Sequence, residues 1–445
     1  MHRHMVQNQS RRFVLRLALV CALLLPIGAR AGLAQSLPTA APESQGFSTE
    51  RLERLHKRMH EFVAEGKHAG ILVLIARNGK IVESRPYGLR DREQKLRMEE
   101  DTIFRIYSMS KVITSVAALI LHEEGRLKLD DPISKYLPAF EKPKVLRGGT
   151  VKAPVLVAAK TPITVKQLLT HTSGYIYGFG KDPIDTMYQD SKMLQAPTMA
   201  AFLERASKLP LVQQPGQSFR YGISTDLLGA VIEKASGQTL DAFIESRITG
   251  PLGMKETSFT VPAEKRARVA KVYTTGKDGQ LEEPKPLVPG NIPYPDEQGR
   301  LFPSGGGGMF STVGDYARFG QMLLNGGALG GVRILGRKTV ELMETNHLAG
   351  LTRETVDSND YEGFGLGGSV RISLARSGRL GSVGQFGWSG AATTDFKIDP
   401  QEQLMTLVFT QHFPFNQHDL FWNALTLTYA ALVDDAVQVA KPADK

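Results

Sequence analysis

Phe104-Arg105-Ile106-Tyr107-Ser108-Met109-Ser110-Lys111-Val112-Ile113-Thr114-Ser115 is the stretch on which the reading of this chain turns. A serine hydroxyl is a weak nucleophile unless a base lies within hydrogen-bond reach, and a lysine three residues on along a helix supplies one. The run from Val112 to Leu121 has no polar stripe, which predicts a helix buried on nearly all sides. Ser108 stands at its start, where unpaired N–H groups and the helix dipole favour a developing anion. A Ser-x-x-Lys match arises about once by chance in a chain of this length, so the weight rests on what surrounds it.

Upstream, Ser48-Thr49-Glu50-Arg51 opens a helix with Leu52, Leu55, Met59, Phe62 and Val63 on one face, closing at Gly66. Ile71 to Ala76 and Ile81 to Tyr87 read as strands, and Asn78-Gly79 between them signals a hairpin. Further upstream, Arg11, Arg12 and Arg16 flank an apolar run from Phe13 to Ile27 that ends in small residues around Ala31, the pattern of a signal peptide over residues 1–31. Ser10-Arg11-Arg12-Phe13 also resembles a twin-arginine export signal, and the general secretory route stays open beside it. The run is interrupted by Pro26 and is shorter than the roughly 20 apolar residues a membrane span needs. Five arginines and no acidic residue precede Ala31, so cleavage there takes the formal charge from +9 to +4. The chain's basicity is therefore largely a targeting feature, and no stripe of Lys and Arg suggests a nucleic-acid partner. Cys21 is the single cysteine and lies in the same run, so the mature chain is expected to have neither disulfides nor thiolate metal sites.

Downstream, residues from Asp130 to Asn346 mix helical runs, Leu227 to Ala235 and Val313 to Leu324, with Pro- and Gly-containing connections. Strand patterns return at Phe364 to Ile372, Thr393 to Ile398 and Leu404 to Thr410, and a helix from His418 to Val433 closes the chain. Strands at both ends with helices between them predict an α+β fold: one antiparallel sheet built from both termini, flanked by helices, with a mainly helical lobe inserted. The boundaries expected are a single domain over 38–435, with an α/β lobe at about 38–125 and 347–435 and a helical lobe at about 126–346.

The segment around Ser108 resembles the nucleophile segment of serine β-lactamase-like and penicillin-binding proteins. Further matches follow in family order: Gly125-Arg126-Leu127-Lys128-Leu129-Asp130-Asp131-Pro132, Leu168-Leu169-Thr170-His171-Thr172-Ser173-Gly174, and Gly305 to Met309. The likeness runs from about Glu50 to about Thr410. It implies the β-lactamase/DD-peptidase fold, and it implies that Tyr221, in Tyr221-Gly222-Ile223, shares with Lys111 the activation of Ser108. It also implies an oxyanion hole made by the backbone N–H groups of Ser108 and Ala391. Two departures bear on substrate. Ile223 replaces the usual asparagine, and Trp388-Ser389-Gly390 replaces the usual Lys-Thr-Gly, which removes a cation expected to meet a substrate carboxylate. Both resemble the esterase and acyltransferase branch, the family VIII carboxylesterases, so Trp388, Ser389, Gly390 and Ile223 are expected to border the substrate.

The sequence thus points to an exported serine hydrolase, periplasmic or secreted, that acts on carboxylic esters through an acyl-enzyme at Ser108, with a small-molecule ester or amide as its partner and without metal or cofactor. Acyl transfer, a β-lactamase or D-alanyl-D-alanine carboxypeptidase activity, and a non-catalytic protein on the same fold are the alternatives. Other signals are discounted. His56 and His60 have helical spacing but no glutamate between them, and read as a solvated face rather than a metal site. His171 reads as part of a structural connection, and Gly305 to Gly308 lacks the Gly-Lys-Ser/Thr of a phosphate loop.

Overall fold

The computed structural model describes residues 36–284, 302–351 and 361–434. The expected signal peptide lies outside them.

Ile71, Val73 and Ile75 point to one side of strand β1 (Gly70–Arg77), while Leu72, Leu74 and Ala76 point to the other. Both sets are buried, which is why the strand reads as an unbroken apolar run rather than an alternation. β1 turns at Asn78-Gly79 into β2 (Lys80–Asp91), which pairs with β3 (Leu96–Arg97). Asn78 and Gly79 both have positive φ, the conformation that favours Asn-Gly in this turn. A separate hairpin, β4 (Lys144–Gly149) and β5 (Pro154–Ala158), lies in the middle of the chain. The C-terminal part adds β6 (Glu362–Phe364), β7 (Ser369–Arg371), β8 (Phe386–Gly390), β9 (Thr394–Asp399) and β10 (Leu404–Phe409). One eight-stranded antiparallel sheet results, in the order β6-β7-β8-β9-β10-β1-β2-β3. The two ends of the chain meet where β1 pairs with β10, Leu72 opposite Phe409.

Helix α1 (Thr49–Ala64) is capped by the Ser48 side chain, which accepts from Arg51 N–H. It packs Leu52, Leu55, Met59 and Phe62 on the Ile71 side of the sheet. On the opposite side lie α2 (Ser110–Glu123), α3 (Ser224–Ser236) and α4 (Val313–Leu324), whose apolar residues join Leu72, Leu74, Phe396 and Phe409 in the main core. α2 is buried from Ser110 through Leu121, as its missing polar stripe predicts. The closing helix, α5 (Leu420–Ala430), returns to the α1 side.

Three expectations need correction. Phe364 to Ile372 is not one strand: β6 and β7 are joined by a glycine-rich turn, where Gly367 has φ +104° and a β-carbon would run into Ser115 of α2. The middle of the chain, read as helical, also carries the β4–β5 hairpin. His56 is not on a solvated face; it is buried, with its ring nitrogens against Glu53, Glu83 and Arg85.

Candidate active site

Ser108 lies one step outside α2, in a short 3-10 turn over Tyr107–Met109. Tyr107 has φ +42°, unusual for a side chain that is not glycine, and its ring is held against Phe413. The chain therefore turns sharply immediately before Ser108 and leaves its side chain half-exposed while Met109 and Ser110 are buried. Tyr316 Oη donates to Met109 O at 2.9 Å, and Met309 N–H donates to Ser110 Oγ at 3.1 Å, which ties the turn to α4 and to the glycine loop.

Lys111 is fully buried, and its three hydrogen bonds define the floor of the site. Nζ donates to Ser108 Oγ at 3.2 Å, to Tyr177 Oη at 2.9 Å and to Gly306 O at 2.6 Å. Three acceptors saturate the three hydrogens of an ammonium group. Behind them sits Asp226 on α3, also fully buried, whose Oδ1 accepts from Ser304 Oγ at 2.5 Å and from Gly306 N–H at 3.1 Å. The Gly306 peptide is thus held at its N–H by Asp226 while its carbonyl holds Lys111. A β-carbon at Gly306 would collide with the Asp226 carboxylate, so the glycine run exists for this close approach. Burial raises the Asp226 carboxyl above its ordinary range, and Lys111 and the two donors restrain the rise.

Tyr221 lies over the same lysine, with Nζ 4.7 Å from its ring centroid. Its hydroxyl accepts from Trp388 Nε1 at 3.1 Å. The phenol oxygen that hydrogen-bonds Lys111 belongs instead to Tyr177, whose hydroxyl is pushed well above its ordinary pKa by burial, then by Asp226 and Tyr221. Tyr177 is a residue that sequence reasoning missed; its signal was its place three residues after Gly174 in a recognised connecting segment. Asp226 was missed too, and nothing local in the sequence marks it. His171 lies beneath Tyr221, ring centroids 4.7 Å apart, with Nδ1 accepting from Gly222 N–H at 3.3 Å and Nε2 against Thr225 Oγ1 at 3.5 Å. Burial and then Lys111 hold its pKa well below the ordinary value, so this imidazole is neutral and braces the Tyr221 segment.

The other wall is aromatic. Trp388 on β8 packs against Tyr221 and Phe364, with Phe219 and Leu348 completing the cluster. Ser389 Oγ donates to Asp395 Oδ1 on β9 at 2.6 Å, so its hydroxyl is engaged across the sheet. At Gly390 a β-carbon would strike Ile106 O and Thr394, so glycine is required here by packing against the chain that leads into Ser108. Gly390 was expected to border the substrate, and the group it approaches is the Ile106 carbonyl. Ile223 departs from expectation as well: it is fully buried in the core at the start of α3 and does not face the cleft. The contact between Gly390 and Ile106 brings Ala391 into the cluster around Tyr107, the residue before Ser108. Among the described residues the backbone N–H of neither Ser108 nor Ala391 donates a hydrogen bond.

The Beta-lactamase family model matches residues 55–431. The chain belongs to the Beta-lactamase family. It is 31% identical over 375 residues to Esterase EstB of Burkholderia gladioli, covering 80% of this chain and 89% of that one. Among solved structures, EstCE1, a hydrolase with promiscuous acyltransferase activity, superposes with a TM-score of 0.68 at 26% identity, covering 87% of this chain and 98% of EstCE1. Simvastatin synthase (LovD) from Aspergillus terreus superposes with a TM-score of 0.71 at 25% identity, over 86% of this chain and 99% of LovD. This Beta-lactamase-family protein is a serine hydrolase. Its described residues contain no helix long and apolar enough to cross a membrane.

Proposed function

We propose that this family member hydrolyses carboxylic esters of small molecules through an acyl-enzyme at Ser108, and that it is exported. The observation that carries the ester reading is Trp388: its indole N–H engages the Tyr221 hydroxyl, and its ring joins an aromatic wall at the place where a β-lactamase would offer a cation. An apolar acyl or alcohol group fits such a wall better than a carboxylate does. The likeness to an esterase and to a hydrolase with acyltransferase activity supports the same choice.

In the proposed reaction Ser108 Oγ attacks the ester carbonyl while its proton passes to Tyr221 acting as the phenolate, over whose ring the Lys111 cation sits. The oxyanion is received by the N–H groups of Ser108 and Ala391. As the C–O bond to the alcohol breaks, Tyr221 returns the proton to the departing oxygen. Water then repeats the sequence on the acyl-enzyme and releases the acid; an alcohol in place of water gives acyl transfer. Tyr177 and Gly306 hold Lys111 in register throughout. A cleft of about 1760 Å³ runs beside the turn before Ser108, bordered by Tyr107, Tyr177 and Gly306, with Leu194, Met199, Phe259 and Phe302 on its walls.

The test compares short- and medium-chain nitrophenyl esters with a chromogenic cephalosporin, in wild type and Ser108→Ala. Ester turnover that Ser108→Ala abolishes is the expected result. Ester turnover surviving the substitution would refute the nucleophile, and cephalosporin turnover far above ester turnover would refute the reading of Trp388. A wild type that a serine-reactive phosphonate leaves unlabelled would favour a non-catalytic protein. Export is tested by N-terminal sequencing of the protein from the periplasm or medium, which is expected to begin after residue 31.

A further inference from the structure

The β4–β5 hairpin stands away from the chemistry. It is rooted where Leu146 N–H donates to Leu211 O and Lys160 N–H to Gln214 Oε1, and its tip turns at Thr150–Ala153. Beyond the root it offers unusual side chains to water: Val151, Val155, Leu156 and Val157 are 36%, 56%, 36% and 38% exposed. Successive residues of a strand face opposite sides, so three exposed neighbours on β5 mean that both faces of the strand are uncovered. Lys142, Lys144, Arg147, Lys152 and Lys160 surround them, all exposed. From Lys142 through Lys181 there is no acidic residue at all.

We infer that this hairpin docks the protein on an anionic phospholipid surface, with the valines and Leu156 entering the interface and the lysines and Arg147 lying among the phosphates. Charge decides the occupant. A second copy of the chain would bring the same cations face to face, and a nucleic acid would find aliphatic groups where base stacking calls for aromatic ones. Aliphatic side chains ringed by cations suit a surface that is apolar within and negative outside.

A dye-labelled protein tests this at the hairpin itself. In full-length Cys21→Ser/Ala153→Cys, an environment-sensitive dye on the new thiol is expected to shift to the blue with vesicles containing about one-third phosphatidylglycerol. Phosphatidylcholine vesicles should give little shift, and about 0.5 M salt should reverse it. The same dye at Cys21→Ser/Lys338→Cys, remote from the hairpin in sequence, should not respond. Adding Arg147→Glu and Lys152→Glu should weaken the apparent affinity about tenfold or more, while thermal unfolding followed by circular dichroism shows the variant folded. Equal responses at 153 and 338, equal responses to neutral and anionic vesicles, or an affinity unmoved by the charge reversals would each overturn the inference. A blue shift that grows with protein concentration in the absence of vesicles would make the occupant a second copy and overturn it too.

Discussion

The two walls of the site are built by opposite means. The floor under Ser108 is polar and sealed: Lys111 and Asp226 are fully buried, and the Gly306 peptide joins them through hydrogen bonds. The facing wall is aromatic and half-open, held by ring contacts among Tyr221, Trp388, Phe364 and Phe219 with one indole hydrogen bond at its centre. Removing one partner of a buried charge leaves the other uncompensated, so the floor has little freedom to change without losing the chemistry. Apolar contacts are non-directional, so the wall can change its substrate while the chemistry stays. The floor would then set rate and the wall preference.

That contrast breaks most easily at Lys111. Lys111→Met removes the only described cation on Ser108 and is expected to lower kcat for a nitrophenyl ester by about 10⁴-fold, with the fold intact by circular dichroism. A loss of less than about tenfold would mean that the floor does not govern the rate. The next effect separates the two phenols. Tyr221→Phe removes the proposed proton carrier and should cost about 10²–10⁴ in kcat. Tyr177→Phe removes only a hydrogen bond to Lys111, which at about 1.5–3 kcal/mol corresponds to roughly 10–100-fold. The reverse order would transfer the proton step to Tyr177, the phenol nearer to Nζ. Asp226→Asn belongs with Tyr177, since it acts on Lys111 through the Gly306 peptide. A drop in kcat of about tenfold with KM little changed is expected from such a positioning residue.

How far these walls could be read in the sequence follows from how they are made. Ser108 and Lys111 share one helical turn, so their spacing alone places them together, and the buried run after them gives α2. The unbroken apolar run of β1 and the Asn78-Gly79 turn are local in the same way, and the sheet built from both ends follows from strand patterns that the sequence shows only there. Asp226, Gly306 and Lys111 meet from three distant segments, and no period or spacing links them. Ile223 shows the opposite failure: it lies beside Tyr221 in sequence, yet the start of α3 turns its side chain into the core. Gly390 is expected from the resemblance to border the substrate, but the group that approaches it is the Ile106 carbonyl, and only the sheet's position against the Ser108 turn reveals that. The hairpin at 144–158 was missed because its apolar residues are exposed on both faces and give no alternation.

A smaller effect tests the wall. Trp388→Lys places a cation in the middle of β8 and removes the indole donor to Tyr221. The ratio of ester to cephalosporin kcat/KM is expected to fall by about tenfold, mostly through KM for the ester, because the aromatic surface contributes binding more than proton transfer. An unchanged ratio, with both activities falling together, would place Trp388 in the chemistry through Tyr221 and erase the division between floor and wall.

The smallest effect concerns Ser389, which neighbours Trp388 yet turns its hydroxyl to Asp395. If Ser389 serves the sheet rather than the substrate, Ser389→Ala should leave kcat/KM within about threefold and cost about 1–3 kcal/mol of stability, the value of a hydrogen bond to a buried charged group. The pH dependence distinguishes this from a simple loss of packing. Burial raises the Asp395 carboxyl in the folded protein, and the Ser389 and Lys397 contacts restrain that rise. A carboxyl raised in the folded state favours folding at low pH, and that contribution is lost as pH climbs from the unfolded carboxylate range through the folded value. Without the Ser389 hydroxyl the folded value rises further, so the gap between variant and wild type should be small in acid and widen as pH climbs. Urea unfolding at several pH values measures the gap. A constant gap would leave Asp395 out of the account, and a large loss of kcat/KM with little loss of stability would return Ser389 to the substrate side of the wall.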